Sequence, residues 1–219
     1  MTEIIIFFTG ISFGSFFGLV IDRIPSGDSI VFGSSHCQSC RHSLSALDLI
    51  PILSQLLSKS RCRYCGATIP YWYAGLEFSF GLVFLAAWSG TVTLSMSIFL
   101  MMCLVLSILD WIYHEFPFVI WIFFTLPIFL ISPFKLTSFI WLILAILAEH
   151  RDLKIGSGDF LWLYSASLFT DFLSLVILVQ IASISGIVHF LLKKEKTEIP
   201  FIPHLTAASL ILWAVHQIP

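Results

Sequence analysis

The sequence predicts an all-α polytopic membrane protein of about eight transmembrane helices with a small cytoplasmic zinc-binding loop. Three observations predict it. The 219 residues are 58% hydrophobic and 11% charged, with a mean hydropathy of +0.98, whereas a soluble domain carries about 25% charged residues. Apolar runs of near-spanning length recur along the chain, at residues 4–20, 71–89, 94–113, 117–131, 136–148, 160–169, 172–192 and 203–217. One water-compatible stretch, residues 22–70, separates the first two runs and carries four of the five cysteines. The domain reading is therefore a first transmembrane helix at 1–21, a cytoplasmic four-cysteine loop at 22–70 and a transmembrane catalytic domain at 71–219.

The first run lacks a basic n-region, having Glu3 instead, and no small-residue cleavage site precedes Asp22 and Arg23, so it reads as a retained span. Gly10, Gly14 and Gly18 recur at four-residue spacing. They make a smooth strip for close packing against another helix.

In the polar loop, Cys37-Gln38-Ser39-Cys40 and Cys62-Arg63-Tyr64-Cys65 form two Cys-x-x-Cys pairs. Pairs about twenty residues apart bring four thiolates into the tetrahedral set that structural zinc prefers. Disulfides are the competing explanation, but the basic residues place this loop in the reducing cytoplasm, where stable disulfides are rare. His36 and His42 adjoin the first pair and read as solvated, because four cysteines suffice. Between the pairs, residues 47–57 form an apolar insertion too short to span, suited to the membrane surface or to covering the zinc loop, and Pro51 interrupts any helix there. Asp48 reads as a solvated loop acid, and Cys103, inside a span, as packing.

Several later runs fall short of the roughly 20 residues a straight span needs, most clearly 136–148 and 160–169. Charge offers an independent test. With eight spans and the N-terminus outside, Arg23, Arg41, Lys59, Arg61, Arg63, Arg151, Lys154, Lys193, Lys194 and Lys196 face the cytoplasm and only Lys135 lies outside, as the positive-inside rule expects. The same topology puts Asp110 and Asp159 on the cytoplasmic side.

These two acids are the candidate catalytic residues. A carboxylate near hydrocarbon depth costs roughly 2.5–3.5 kcal/mol on insertion scales, so it usually marks chemistry, ion passage or a paired charge. Asp159 closes the segment Lys154-Ile155-Gly156-Ser157-Gly158-Asp159, and Gly156 and Gly158 permit positive φ and close backbone approach. Asp110 sits near the end of another apolar run. Two carboxylates brought close share a proton, one activating water while the other donates to a peptide carbonyl, which is aspartic protease chemistry. Asp159 opens a helix and Asp110 ends one, so the helix dipoles assign the base to Asp159. The bland alternative is that each acid caps a helix in the headgroup region. Two other functions compete: a transporter using the acids as a proton or cation site, which an internal repeat would favour, and a noncatalytic scaffold whose zinc loop docks a partner.

At these residues the chain resembles the type IV prepilin peptidase family of Gly-x-Gly-Asp intramembrane aspartic proteases. The likeness runs from Gly14-Ser15-Phe16-Phe17-Gly18-Leu19-Val20-Ile21-Asp22-Arg23-Ile24-Pro25 through both Cys-x-x-Cys pairs, the inter-pair segment Asp48-Leu49-Ile50-Pro51-Ile52-Leu53-Ser54 and Glu77. It continues through Asp110 with Pro117, Gly156-Ser157-Gly158-Asp159 and Ile199-Pro200-Phe201-Ile202-Pro203. Ile112 and Phe118 stand where the family often has acidic or amide residues, and Leu161 stands where it commonly has a Lys. The resemblance implies removal of the short basic leader of prepilins or pseudopilins at the cytoplasmic face of a bacterial inner or plasma membrane. For many members it also implies N-methylation of the new N-terminus with S-adenosylmethionine, and here that cofactor rests on the resemblance alone. The lipid bilayer is the other expected partner, no nucleic-acid partner is expected, and the oligomeric state is left open.

Overall fold

The computed structural model describes residues 1–151, 156–193 and 199–217. Lys154, Lys194 and Lys196, counted above among the cytoplasmic basic residues, lie outside the described residues. Among the described residues all regular structure is helical: α1 (Thr2–Ser26), α2 (Leu53–Leu57), α3 (Trp72–Trp88), α4 (Leu94–Tyr113), α5 (Phe118–Ile131), α6 (Phe139–His150), α7 (Ser157–Ser167), α8 (Phe172–Leu192) and α9 (Ile202–Gln217), with short 3-10 turns at Ala46–Leu49 and Leu136–Ser138. Each of the eight predicted apolar runs becomes one helix. Three of them, α1, α4 and α8, are long and apolar enough to cross a membrane, and α3, α5, α6 and α9 are shorter apolar helices. Among the described residues, three of the eight expected spans thus have the length and composition of a crossing helix, and the helices of 11 to 17 residues fall short of a straight 30 Å crossing.

The chain divides into two compact units, Met1–Thr93 and Leu94–Pro219. In the first, α1 and α3 pack along their length. A Cβ on Gly10 would meet the Gly81 Cα at 2.8 Å, one on Gly14 the Glu77 Cα at 2.6 Å, and one on Gly18 the Tyr73 ring at 3.2 Å. Ascending positions on α1 meet descending positions on α3, so the pair is antiparallel, and its backbones touch where the sequence is smallest, as the glycine strip predicts. α1 runs past the predicted boundary to Ser26, where Gly27 at φ 71° turns the chain. The Gly27 and Asp28 N–H groups then donate to the Ile24 and Arg23 carbonyls at 3.1 and 2.9 Å, closing a Schellman cap.

The second unit builds its interior on α4, whose Met102, Cys103, Val105, Leu106 and Leu109 are fully buried. Packed around it are side chains that satisfy one another. The Trp121 indole donates to the Leu161 carbonyl and to Ser165 Oγ, both at 2.9 Å. Ser165 and Thr125 hydroxyls lie 2.7 Å apart, and Ser107 and Thr206 hydroxyls 2.8 Å apart. In an apolar surround such pairs are needed, since a lone buried hydroxyl is costly. Lys135 donates to the Thr170 carbonyl at 2.8 Å, just beyond the end of α7, where a cation complements the helix dipole. Outward faces carry large apolar groups such as Phe123, Leu130, Ile184 and Leu191, which suits a membrane environment.

Candidate functional site

Asp110 lies within the last turn of α4, half-buried, and its carboxylate accepts the Ile202 N–H at 2.9 Å. That bond ties the end of α4 to the start of α9, and the segment Pro200-Phe201-Ile202 thereby supplies a backbone donor to the acid. Asp159 is the third residue of α7, with its N–H donating to the Gly156 carbonyl at 3.2 Å. The two carboxylates come close enough for their charges to act on each other. Ser157 Oγ donates to Glu149 Oε2 at 2.8 Å, which anchors the first turn of α7 to the end of α6.

The glycines on either side of Ser157 serve a different purpose from the one expected. Neither has positive φ. Gly156 is extended, at φ −62° and ψ 135°. Gly158 is helical and buried, and a Cβ there would lie 2.5 Å from the Phe116 ring. Close approach of a side chain, not backbone reversal, is what demands glycine at 158. Phe116 carries no chemistry of its own, which is why sequence reasoning passed over it.

In the first unit the four sulfurs of Cys37, Cys40, Cys62 and Cys65 lie within 4.8 Å of one another, so one metal ion can bridge them. Two matching backbone knuckles hold them. Cys37 N–H donates to the His42 carbonyl and Arg41 N–H to the Cys37 carbonyl; Cys62 N–H and Gly66 N–H repeat the pattern with Ala67 and Cys62. Isolated bridges His36–Ser43 and Arg61–Thr68 close each knuckle. The N–H groups of Cys40 and Ser39 lower the Cys37 thiol to about 6, while desolvation and the three neighbouring thiols raise Cys65 to about 12. A closed set of four thiolates fits structural zinc. The histidines stay out of it: His36 accepts from the Arg41 guanidinium at 2.9 Å, and the His42 ring packs on Tyr64 at 3.7 Å. Asp48 bridges the two arms, accepting from Ser45 Oγ at 2.6 Å and pairing with Arg63 at 3.2 Å. The apolar insertion is divided at Pro51 into the 3-10 turn and α2, and Leu47, Leu53, Leu56 and Leu57 are exposed.

Three buried polar side chains organise the rest of this unit. Arg23 donates to the carbonyls of Ser29, Phe32 and Ser34 at 2.6 to 3.2 Å and so folds the loop after α1. Gln55 donates to the Pro70 carbonyl at 2.9 Å and accepts the Ala74 N–H at 3.1 Å. Glu77 accepts the Ile52 N–H at 2.6 Å, holding Ile52 at φ 62°. Gln55 carried no sequence signal, because a polar residue in a polar loop looks solvated.

Residues 8–90 match the model of the Bacterial Peptidase A24 N-terminal domain. The chain is 41% identical over 83 residues to the prepilin leader peptidase/N-methyltransferase of Myxococcus xanthus, covering 38% of this chain and 25% of that one. Proteins of the same name from Klebsiella pneumoniae and Bacillus subtilis are 38% identical over 88 residues and 40% identical over 83 residues. Residues 8–90 are therefore similar to that N-terminal domain and to proteins named prepilin leader peptidase/N-methyltransferase. The matched part spans between 25% and 39% of these relatives' own length. Asp110 and Asp159 lie beyond the residues the family model matches. No solved structure matches the chain.

Proposed function

We propose that this chain is a membrane aspartic endopeptidase that removes the short leader of type IV prepilins or pseudopilins at the cytoplasmic face of a bacterial membrane. The observation that carries the reading is the electrostatic proximity of Asp159 to Asp110, each at a helix terminus of one unit. Two carboxylates so placed cannot both ionise freely, so one proton is shared between them. Asp159, in the first turn of α7, has the helix dipole favouring its anion and takes the proton from a water. Asp110, at the opposite pole of its helix, donates to the carbonyl oxygen of the scissile peptide. The Ile202 N–H orients the Asp110 carboxylate for that donation, and the Phe116 contact sets the height of Asp159. The four cysteines would hold zinc as a structural ion, leaving no open position for substrate.

Methyl transfer from S-adenosylmethionine to the new N-terminus is proposed as a second activity, on the name the relatives carry. Co-expression with a candidate prepilin, read by mass spectrometry, tests both steps. Leader loss is expected for the wild type, with Asp110→Asn and Asp159→Asn each slowing it by about two orders of magnitude or more. Near-normal cleavage by Asp110→Asn would sink the dyad. Methylation would add the mass of one CH2 group to the mature product.

A further inference from the structure

Two short stretches of the first unit are built inside out. In α2 the buried side chain is Gln55, 8% exposed, while Leu53, Leu56 and Leu57 face outward, Leu57 at 81%. In the loop after α1 the outward side chains are Ile30, Val31 and Phe32, Phe32 at 80%, and the buried one is Arg23, again 8% exposed. Both buried groups are satisfied from within, Gln55 by the Pro70 carbonyl and the Ala74 N–H, Arg23 by the carbonyls of Ser29, Phe32 and Ser34. In water this order is the costly one, since apolar surface is left wet and polar groups are desolvated. Hydrocarbon selects it, because there every polar group must find its partner inside the protein.

The helix pair fixes the depth of these stretches. α1 is long and apolar enough to cross a membrane. The Ile52 N–H, at the start of α2, donates to Glu77, whose Cα lies against Gly14, and Gln55 holds Ala74, next to the Tyr73 that lies against Gly18. Both glycines belong to the apolar run 4–20, and by helical rise Gly14 lies about 9 Å inside its end. α2 is thereby tied beside the last apolar turns of α1, and the Arg23 bonds draw Phe32 back to the final turn of the same helix. Charge points the same way. Residues 27–70 carry Arg41, Lys59, Arg61 and Arg63 against Asp28 and Asp48. Among the described residues Asp48 pairs with Arg63, whereas Lys59 and Arg61, which follow the outward leucines, are exposed and form no ion pair. Exposed cations beside an apolar tip complement anionic phospholipid headgroups.

We propose that the four-cysteine loop is an interfacial lipid-binding module, with Leu53, Leu56, Leu57 and the Ile30–Phe32 tip among the outer acyl-chain segments of one leaflet and Lys59 and Arg61 on anionic phospholipid headgroups. The loop thus lies in the membrane boundary and does not project into water. This surface belongs to residues 1–93 and uses neither Asp110 nor Asp159, so it holds whichever way the cleavage experiment falls.

The test places the wild-type full chain in nanodiscs of mixed phosphatidylcholine and phosphatidylglycerol, with a photoreactive diazirine high on an acyl chain of one lipid or the other. After illumination and digestion, mass spectrometry locates the lipid adducts. Residues 30–32 and 53–57 are expected to be labelled about tenfold or more above the exposed knuckle tip at 63–66, as immersion at the acyl boundary requires. The phosphatidylglycerol probe is expected to be captured at 53–57 about fivefold better than the phosphatidylcholine probe, the effect of one basic residue at an anionic surface. Replacing both cations, Lys59→Gln with Arg61→Gln, should erase that preference and leave the labelling itself. Leu56→Ser with Leu57→Ser should remove the adducts at 53–57 and keep those at 30–32, with melting temperature reporting the fold. Should a variant misfold, the wild-type labelling carries the test without it. Labelling of both stretches no higher than the knuckle tip, as when water or a second copy of the chain covers them, overturns the proposal, and so does equal capture of the two lipids by the wild type.

Discussion

At Gly158 the reason for glycine is a ring, not a turn. Replacing its hydrogen with a methyl group sets a carbon 2.5 Å from Phe116, and overpacking of this kind costs about 1–3 kcal/mol. Gly158→Ala is expected to lower the melting temperature and displace Asp159, with loss of leader cleavage, and Phe116→Ala in the same chain should restore part of both. A matched experiment exists in the zinc loop. Arg41 and Gly66 occupy the same position of the two knuckles, at φ 59° and 74°. A non-glycine residue in this region is strained by about 1–2 kcal/mol. Arg41→Gly should therefore raise stability by about 1 kcal/mol, less a few tenths for the exposed bond to His36, and denaturant unfolding would read it. No gain would mean that the Arg41–His36 contact outweighs the strain. Asp48 supplies the pH dependence of this loop. The Ser45 hydroxyl, helped by the Ser45 N–H, Tyr64 and Arg63, holds its carboxyl below the usual range. Its stabilising contribution is thus complete above the unfolded value of about 3.9 and is lost as pH falls through the lower folded value. Asp48→Asn should flatten stability across that acid range.

Among the elements, the α1–α3 pair shows why glycine spacing is informative in an apolar helix. Lipid chains are as apolar as leucine, so helices gain by bringing backbones close, and small residues permit it. Contacts at Gly10 and Gly14 are with backbone atoms, whereas at Gly18 the neighbour is the Tyr73 ring, which can shift. Gly14→Ala should therefore destabilise the first unit by about 1–3 kcal/mol and Gly18→Ala by distinctly less. Thermal unfolding in detergent checks the order, and equal effects would show that ring and backbone yield alike. The Gly-x-x-x-Gly register was legible in the sequence because it needs only spacing. The partner helix was not, since any of the other apolar runs offered a comparable surface.

For the whole molecule, metal is the strongest lever. Structural zinc sites hold apparent binding free energies of about 10–16 kcal/mol near pH 7, and that energy is folding energy. Purified protein should contain one zinc per chain, and stripping it with a chelator should unfold the cysteine loop. Metal analysis with melting curves before and after chelation would read this, and unchanged melting would reduce the site to an adventitious one. By itself the sequence determined the helical class, the eight apolar segments and the four paired cysteines, because hydropathy and Cys-x-x-Cys spacing are local quantities that survive without any partner. Tertiary structure alone decided which glycine meets a ring and which meets a backbone. It also decided that Glu77 holds Ile52, and that Asp159 feels Asp110 from forty-nine positions away. These depend on contacts between residues distant along the chain, and such contacts exist only once helices have packed.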